Sequence, residues 1–380
     1  MTESQISAPE TLALMRAINL ARSARGDVEP NPPVGALVLA EATVVGEGWH
    51  RAYGGAHAEV DALDDAGEAA RGATLVVTLE PCSTTGKTPP CVEAILKAGI
   101  VRVVVGALDP DPRHGGRGLE VLRAAGLEVL CCEDPQSTAL IAEFSAGLQR
   151  RRPHVMLKWA QSADGCIAGP DGEPLQLTGS AATARVHRWR GQLDGILVGV
   201  QTVLNDDPML TARGLSPALR PLRRIVLDRS LRMPITSRLA DTAGETPTWV
   251  MTQLDADQQP EVALDARDVR VLRVPEGPTW LADCLSLLAA EGVGRLMVEG
   301  GARTLSAFFD AGLVDQVAVF QCPQNIGPQG LPALPGRSLA GLSPEQLAEA
   351  LELSDVRTEA LGEDVLVRGV VQRSQPVTAG

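Results

Sequence analysis

Two stretches, Ala56-His57-Ala58-Glu59 and the run from Glu80-Pro81-Cys82 to Pro89-Pro90-Cys91, hold the side chains of this sequence best suited to chemistry. His57 offers an imidazole, and Cys82 and Cys91 offer thiols; together they make three zinc ligands. Three protein ligands leave the fourth tetrahedral position of a zinc ion open, as a catalytic site needs and a structural site does not. Glu59, two residues beyond His57, is the acid/base such a site requires, because zinc lowers the pKa of water to roughly 7 and a neighbour must then carry its protons. Residues two apart on a helix do not share a face, so this spacing suits a base better than a second ligand. A His or Cys taken singly is more often packing than a ligand; the combination, with Pro81 before the first Cys, is what points to zinc.

The elements around these residues are those of an α/β layer. Residues 11–25 carry Leu12, Leu14, Met15, Ile18 and Ala21 at helical spacing, which predicts an amphipathic helix. Asn31-Pro32-Pro33-Val34-Gly35 breaks it. Strands are predicted over 36–39 and 43–48, and His50 then leads into the loop before His57. Val60, Leu63 and Ala66 put the residues after His57 on a helix. The β-branched run 74–79 is a strand with Cys82 just beyond its end, and Pro89-Pro90-Cys91 opens a helix over 92–98. Strand 101–105, helix 118–125 and strand 128–131 follow, an alternation that indicates an α/β sandwich. Ligands at strand ends and helix starts fit a site at the edge of a sheet.

Residues 148–153, with three consecutive Arg before Pro153, read as a solvated linker, so domains are expected over 1–148 and 153–373. Strands are predicted over 154–159, 195–198, 224–227, 248–251, 269–274 and 295–298, and helices over 281–291 and 304–311, a second self-sufficient α/β domain. Glu299-Gly300-Gly301 follows a strand and opens a helix, a place where a phosphate can meet backbone amides. Val198 to Arg213 reads as a polar loop. No G-x-G-x-x-G fingerprint occurs in either domain.

At 380 residues the chain has room for two or three domains, and 3% aromatic content within 44% hydrophobic makes their cores aliphatic. A formal net charge of −13 argues against a protein that coats nucleic acid. Seven Cys without a framework spacing indicate a reducing compartment. The polar first residues and the lack of any apolar run long enough to span a bilayer predict a soluble, cytoplasmic protein with no membrane partner. A homo-oligomer is compatible with all of this.

The H-x-E and P-C…C pattern resembles the zinc-dependent nucleobase deaminases. Two residues commonly separate the Cys pair there; here eight do, and P-C-x8-C containing G-K-T-P-P-C resembles the riboflavin-biosynthesis branch. From about residue 11 to 373 the chain resembles the bifunctional deaminase/reductase family of riboflavin biosynthesis. N-P-x-V-G, H-A-E and P-C-x8-C match in the first domain. In the second, Lys158 to Gly165 (K-x-A-x-S-x-D-G), Thr178-Gly179, Arg190, the G-x-x-T-V-x-x-D-D-P-x-L-T-x-R run, Val226-Leu227-Asp228, Glu299-Gly300-Gly301 and Leu313-Val314-Asp315 match in order.

The resemblance implies a cytidine-deaminase-like α/β/α sandwich followed by a dihydrofolate-reductase-like α/β domain. It implies deamination of a phosphorylated diaminopyrimidinone with Zn2+, then reduction of its ribose with NADPH. By resemblance His57, Cys82 and Cys91 hold zinc, Glu59 is the proton donor, and Asn31, His50 and Lys87 face the first substrate. Ala160, Thr202, Asp206 and the turn Gly301, Ala302, Arg303, Thr304, Leu305 match NADPH-contacting positions, and Arg190, Leu210, Arg213 and Glu299 match substrate contacts. An Arg pair suits a phosphate, which it can grip bidentately. The sequence departs from the family at Thr84, where His is common, at Gln176-Leu177-Thr178 in place of W-I-T, and at Arg229 in place of Ser.

Two other classes compete with this assignment. A nucleic-acid base deaminase is disfavoured by the acidic charge and the absence of an aromatic-rich basic face. A structural zinc site would need a fourth protein ligand, for which His50 is the nearby candidate.

Overall fold

The computed structural model describes residues 5–24, 28, 31–52, 54–84, 89–111, 114–142, 144–145, 151–213 and 222–372. It divides into two compact units, 1–150 and 151–380. Among the described residues no helix is long and apolar enough to cross a membrane.

The first unit opens with α1 (Ala8–Ser23), which starts ahead of its predicted bound because Ser7 and Glu10 close a capping box over its first turn. A five-stranded sheet follows, ordered β2 (Thr43–Trp49), β1 (Gly35–Ala40), β3 (Thr74–Val77), β4 (Arg102–Val105), β5 (Glu128–Cys131). β1 runs antiparallel to β2 and β3, whereas β3, β4 and β5 are mutually parallel. Side chains alternate across the sheet. Ala36, Val38, Leu75 and Val103 face α2 (Ala58–Ala66), α3 (Cys91–Ala98) and α4 (Arg117–Ala124), while Leu37, Leu39, Val76 and Val104 face α1 and α5 (Pro135–Leu140). Each large side chain buried in this way contributes about 1.5–3 kcal/mol relative to exposure. The result is a three-layer sandwich. α2 lies directly on β2: a Cβ at Gly48 would stand 2.2 Å from the Ala62 nitrogen, so only glycine admits this approach.

The second unit is a nine-stranded sheet, ordered β11 (Val269–Val274), β10 (Thr248–Gln253), β9 (Arg223–Leu227), β8 (Gly195–Gly199), β12 (Arg295–Glu299), β6 (His154–Gln161), β13 (Gln316–Gln321), β16 (Asp364–Val371), β15 (Leu353–Leu361). The strands from β11 to β13 are parallel, and β16 and β15 close that edge as an antiparallel hairpin. A small two-stranded sheet pairs β7 (Cys166–Ala168) with β14 (Leu331–Pro332). One face of the large sheet carries α6 (Ser180–Arg190), α7 (Val200–Asp206), α8 (Arg238–Asp241) and α9 (Gln259–Asp265); the other carries α10 (Trp280–Ala290), α11 (Ala302–Asp310) and α12 (Pro344–Ala350). Inserting β12 between β8 and β6 creates a topological switch point at the carboxyl ends of those strands, where ligands of open α/β sheets bind. The predicted loop over 198–213 is helical at Val200–Asp206, because Val200 and Val203, one turn apart, both enter the core.

Candidate active sites

His57 is the residue before the first turn of α2, Cys91 is the first residue of α3, and Cys82 lies in the loop after β3. Their ligand atoms all lie within 4.8 Å of one another. His57 Nδ1 is 3.1 Å from Cys91 Sγ and 3.6 Å from Cys82 Sγ, so Nδ1 is the nitrogen turned to the thiols. The Cys91 amide donates to Cys82 Sγ at 3.2 Å. The hydrogen bond from Cys91, followed by that from His57, holds the Cys82 thiol down to about 4, while Cys91 beside it is pushed up. One imidazole and two thiols gathered in this way are the donor types that zinc takes. Glu59 is 4% exposed, and burial pushes its carboxyl up to about 7 although His57 pulls the other way.

His50 is buried and fixed at both ring nitrogens. Nδ1 pairs with the Ala56 carbonyl at 2.9 Å and Nε2 with the Asn31 side-chain amide at 3.2 Å. A carbonyl only accepts, so Nδ1 carries a proton towards Ala56. His50 is therefore not gathered with the thiols, and among the described residues the donor cluster is His57, Cys82 and Cys91. Lys87 lies outside the described residues. Thr84 Oγ1 stands 3.5 Å from His114 Nδ1.

Glu80 does work here that motif reasoning misses. Its carboxylate accepts from the amides of Asp109, Gly116 and Gly118 at 3.1, 2.8 and 2.8 Å, tying the loop after β4 to the segment that presents Cys82. The only sequence signal is an acid next to Pro81-Cys82 with a glycine-rich loop downstream.

In the second unit Glu299, at the end of β12, sits opposite Lys158 of β6 in register. Lys158 Nζ reaches it at 3.4 Å, and Arg190, the last residue of α6, donates to it from Nε at 3.2 Å and from Nη2 at 3.1 and 3.2 Å. Burial pushes the Glu299 carboxyl up, but Lys158 and Arg190 together hold it below the usual carboxylate range. Arg190 also donates to the Thr211 carbonyl at 3.3 Å. Arg213 has an exposed side chain and lines a cavity of about 580 Å3 with Gln176, Thr178, Gly179, His187 and Arg188. Leu210 is buried, with φ 48.

Thr202 and Asp206 lie on α7, Ala160 lies near the end of β6, Gly301 precedes α11, and Ala302, Arg303, Thr304 and Leu305 form its first turn. The starts of α7 and α11 are brought together: a Cβ at Gly199 would stand 2.5 Å from Thr304 Oγ1, and one at Gly300, whose φ is 145, would stand 3.3 Å from Thr202 Oγ1. Open space faces Gly301. Adjacent helix starts lined by glycine, at a switch point, form a cradle that fits the diphosphate of a dinucleotide.

The first unit thus has the build of a zinc-type pyrimidine deaminase, and the second that of an α/β reductase. Residues 9–107 match the family model for the cytidine and deoxycytidylate deaminase zinc-binding region, and residues 153–367 match the RibD C-terminal domain. The riboflavin biosynthesis protein RibD of Aquifex aeolicus is 40% identical over 353 residues, 92% of this chain and 95% of that protein. RibD of Bacillus amyloliquefaciens is 37% identical over 355 residues, covering 93% and 94%. The structure of Acinetobacter baumannii RibD, form 1, superposes with TM-score 0.68 at 32% identity, covering 96% of this chain and 99% of that one. A Thermotoga maritima protein, described as a diaminohydroxyphosphoribosylaminopyrimidine deaminase/5-amino-6-(5-phosphoribosylamino)uracil reductase, gives 0.65 at 32% identity over the same shares. The chain belongs to the RibD family of riboflavin-biosynthesis proteins. It is a bifunctional enzyme, a deaminase followed by a reductase.

Proposed function

We propose that residues 1–148 remove the 2-amino group of 2,5-diamino-6-ribosylamino-4(3H)-pyrimidinone 5′-phosphate as ammonia, and that residues 153–373 then reduce the ribosyl side chain to give 5-amino-6-ribitylamino-uracil 5′-phosphate. The observation that carries the proposal is the convergence of His57, Cys82 and Cys91 within 4.8 Å, with the buried Glu59 beside them. One imidazole and two thiols in that compass fit zinc, which when bound supplies a Lewis acid that makes water nucleophilic at neutral pH. Glu59 takes a proton on its carboxylate and returns it to the departing nitrogen, as a buried acid with a raised pKa can. Asn31 and His50, hydrogen-bonded to each other, orient the pyrimidine ring.

In the second unit the glycine cradle and α11 fit NADPH, which when bound supplies the hydride. Thr202, Asp206 and the residues from Gly301 to Leu305 hold it, and Ala160 leaves room for it. Arg213 takes the substrate phosphate, while Arg190 and Lys158 orient the Glu299 carboxylate towards the sugar hydroxyls. All seven cysteines are free, which supports a reducing cytoplasmic setting. The test is metal analysis of the purified chain together with ammonia release before and after chelation. About one zinc per chain, with release lost on chelation and regained on adding zinc, is expected. Full release by thoroughly chelated protein would overturn the deaminase mechanism.

A further inference from the structure

Arg224, the second residue of β9, is fully buried, and among the described residues no carboxylate reaches its guanidinium. Nη1 donates to the Met209 carbonyl at 3.2 Å and to Thr242 Oγ1 at 2.7 Å. Nη2 donates to the carbonyls of Leu239, Thr242 and Thr246 at 3.1, 3.0 and 2.7 Å. Burial pushes its pKa down to about 10, against an opposing pull from Glu245. A desolvated cation is expensive for stability alone, since a hydrophobic side chain of similar volume often serves as well. Its hydrogen bonds show what it holds together.

Through the Met209 carbonyl it reaches the segment Asp207-Pro208-Met209-Leu210. Asp207, with φ of 38, ends α7 in the left-handed conformation common at helix ends, whereas Leu210, with φ of 48, is a bulky residue in a region such side chains enter when their surroundings hold them there. α8 supplies the hold at both ends. At its start, the Arg238 amide donates to Asp207 Oδ1 at 2.8 Å. At its finish, Arg224 joins the Leu239 and Thr242 carbonyls to that of Met209. Past this dock come Leu210, then Thr211, whose carbonyl meets both Arg190 and His187, then Arg213 at the cavity.

We propose that Arg224 is a positioning residue for the reductase: it docks the 207–210 segment on α8 and so sets where Leu210 and Arg213 meet the substrate. The proposal rests on the reductase reading given above. A rigid support behind a binding loop determines affinity without touching the ligand, because misplacement of the loop weakens every contact it makes.

The test uses the full chain and two variants, Arg224→Lys and Asp207→Gly. Lysine keeps the charge but cannot span five acceptors, and glycine tolerates the φ of position 207 while removing the carboxylate dock. In Arg224→Lys the reductase KM for the pyrimidine should rise roughly tenfold, the scale of one lost hydrogen bond to a charged group, with kcat within about twofold. Asp207→Gly should move KM the same way by about threefold. Affinity for NADPH and ammonia release should stay at parent levels in both. Trypsin cleavage after Arg213 should accelerate in both, a readout independent of activity. Unchanged KM and cleavage in both variants would overturn the proposal, as would a fall in kcat and NADPH affinity in step with melting temperature. Should Arg224→Lys fail to fold, Asp207→Gly alone decides. A parent chain that does not oxidise NADPH refutes the reductase reading instead, and trypsin cleavage then decides the dock.

Discussion

Replacing Glu299 by Gln should destabilise the second unit, and a second substitution at Arg190 should then add little further cost. The carboxylate is 12% exposed and sits between Lys158, 14% exposed, and Arg190, 12% exposed. Arg190 is at 3.1 Å and Lys158 at 3.4 Å, and with an effective dielectric of about 20 each attraction is about 5 kcal/mol before desolvation is subtracted. Removing one partner of a buried pair costs about 3–5 kcal/mol in practice, and the Gln oxygen can still accept one bond, so about 3 kcal/mol is expected. Arg190→Met should cost about 2 kcal/mol, because Lys158 still neutralises Glu299.

The double variant should cost about 3 kcal/mol, not about 5, a coupling of about 2 kcal/mol. Urea unfolding followed by tryptophan fluorescence suits the measurement, since four of the five tryptophans belong to the second unit. The double variant should be inactive as a reductase although no less stable than Glu299→Gln alone, as the proposed substrate roles of both groups require. Additivity within about 0.5 kcal/mol, or an unchanged unfolding midpoint for Glu299→Gln, would refute the ion-triad reasoning.

Three further outcomes are expected. Glu59→Gln should keep its zinc while ammonia release falls by about a hundredfold or more, the range for a lost general acid/base; near-parent turnover on a metal analysis showing full zinc would remove Glu59 from catalysis. Arg213→Ala should lower reductase kcat/KM by on the order of a hundredfold, with ammonia release and NADPH affinity at parent levels; a normal reductase rate would take Arg213 out of the phosphate site. Burial pushes the Asp315 carboxyl up, but His154, Arg152 and the Val155 amide outweigh it and hold it below its usual range. A carboxyl depressed on folding adds stability above its unfolded pKa of about 3.9 that is lost as pH falls through the folded value. Melting temperature should therefore fall less steeply below about pH 4 in Asp315→Asn than in the parent; parallel curves would contradict the pairing.

His57, Glu59, Cys82 and Cys91 could be placed from sequence because each lies where a local signal is strong: a helix start, a strand end, a proline before a thiol. Glu80 left no such signal, since it acts through three backbone amides that only the fold assembles. Arg190 could be picked out by resemblance, but its partner Glu299 is distant in sequence, so its commitment to that carboxylate was invisible. α6 was hidden by its polar composition, with only Ala182, Val186 and Trp189 buried. The edge hairpin of β15 and β16 was hidden for a related reason: β15 is largely open to solvent and lacks a clear apolar period. Arg224 reads as one more charge in a basic pair, and its burial depends on carbonyls gathered from α8 and two loops.

The most direct test of two successive steps on one chain follows both products from the same purified protein. With the diaminopyrimidinone ribosylamine phosphate as substrate, ammonia should appear with or without NADPH, and NADPH should be consumed only after ammonia release. Glu59→Gln should then show neither signal on that substrate, yet oxidise NADPH at the parent rate when given the deaminated compound. NADPH oxidation on the undeaminated substrate by Glu59→Gln, or no oxidation by the parent on the deaminated one, would contradict the assignment.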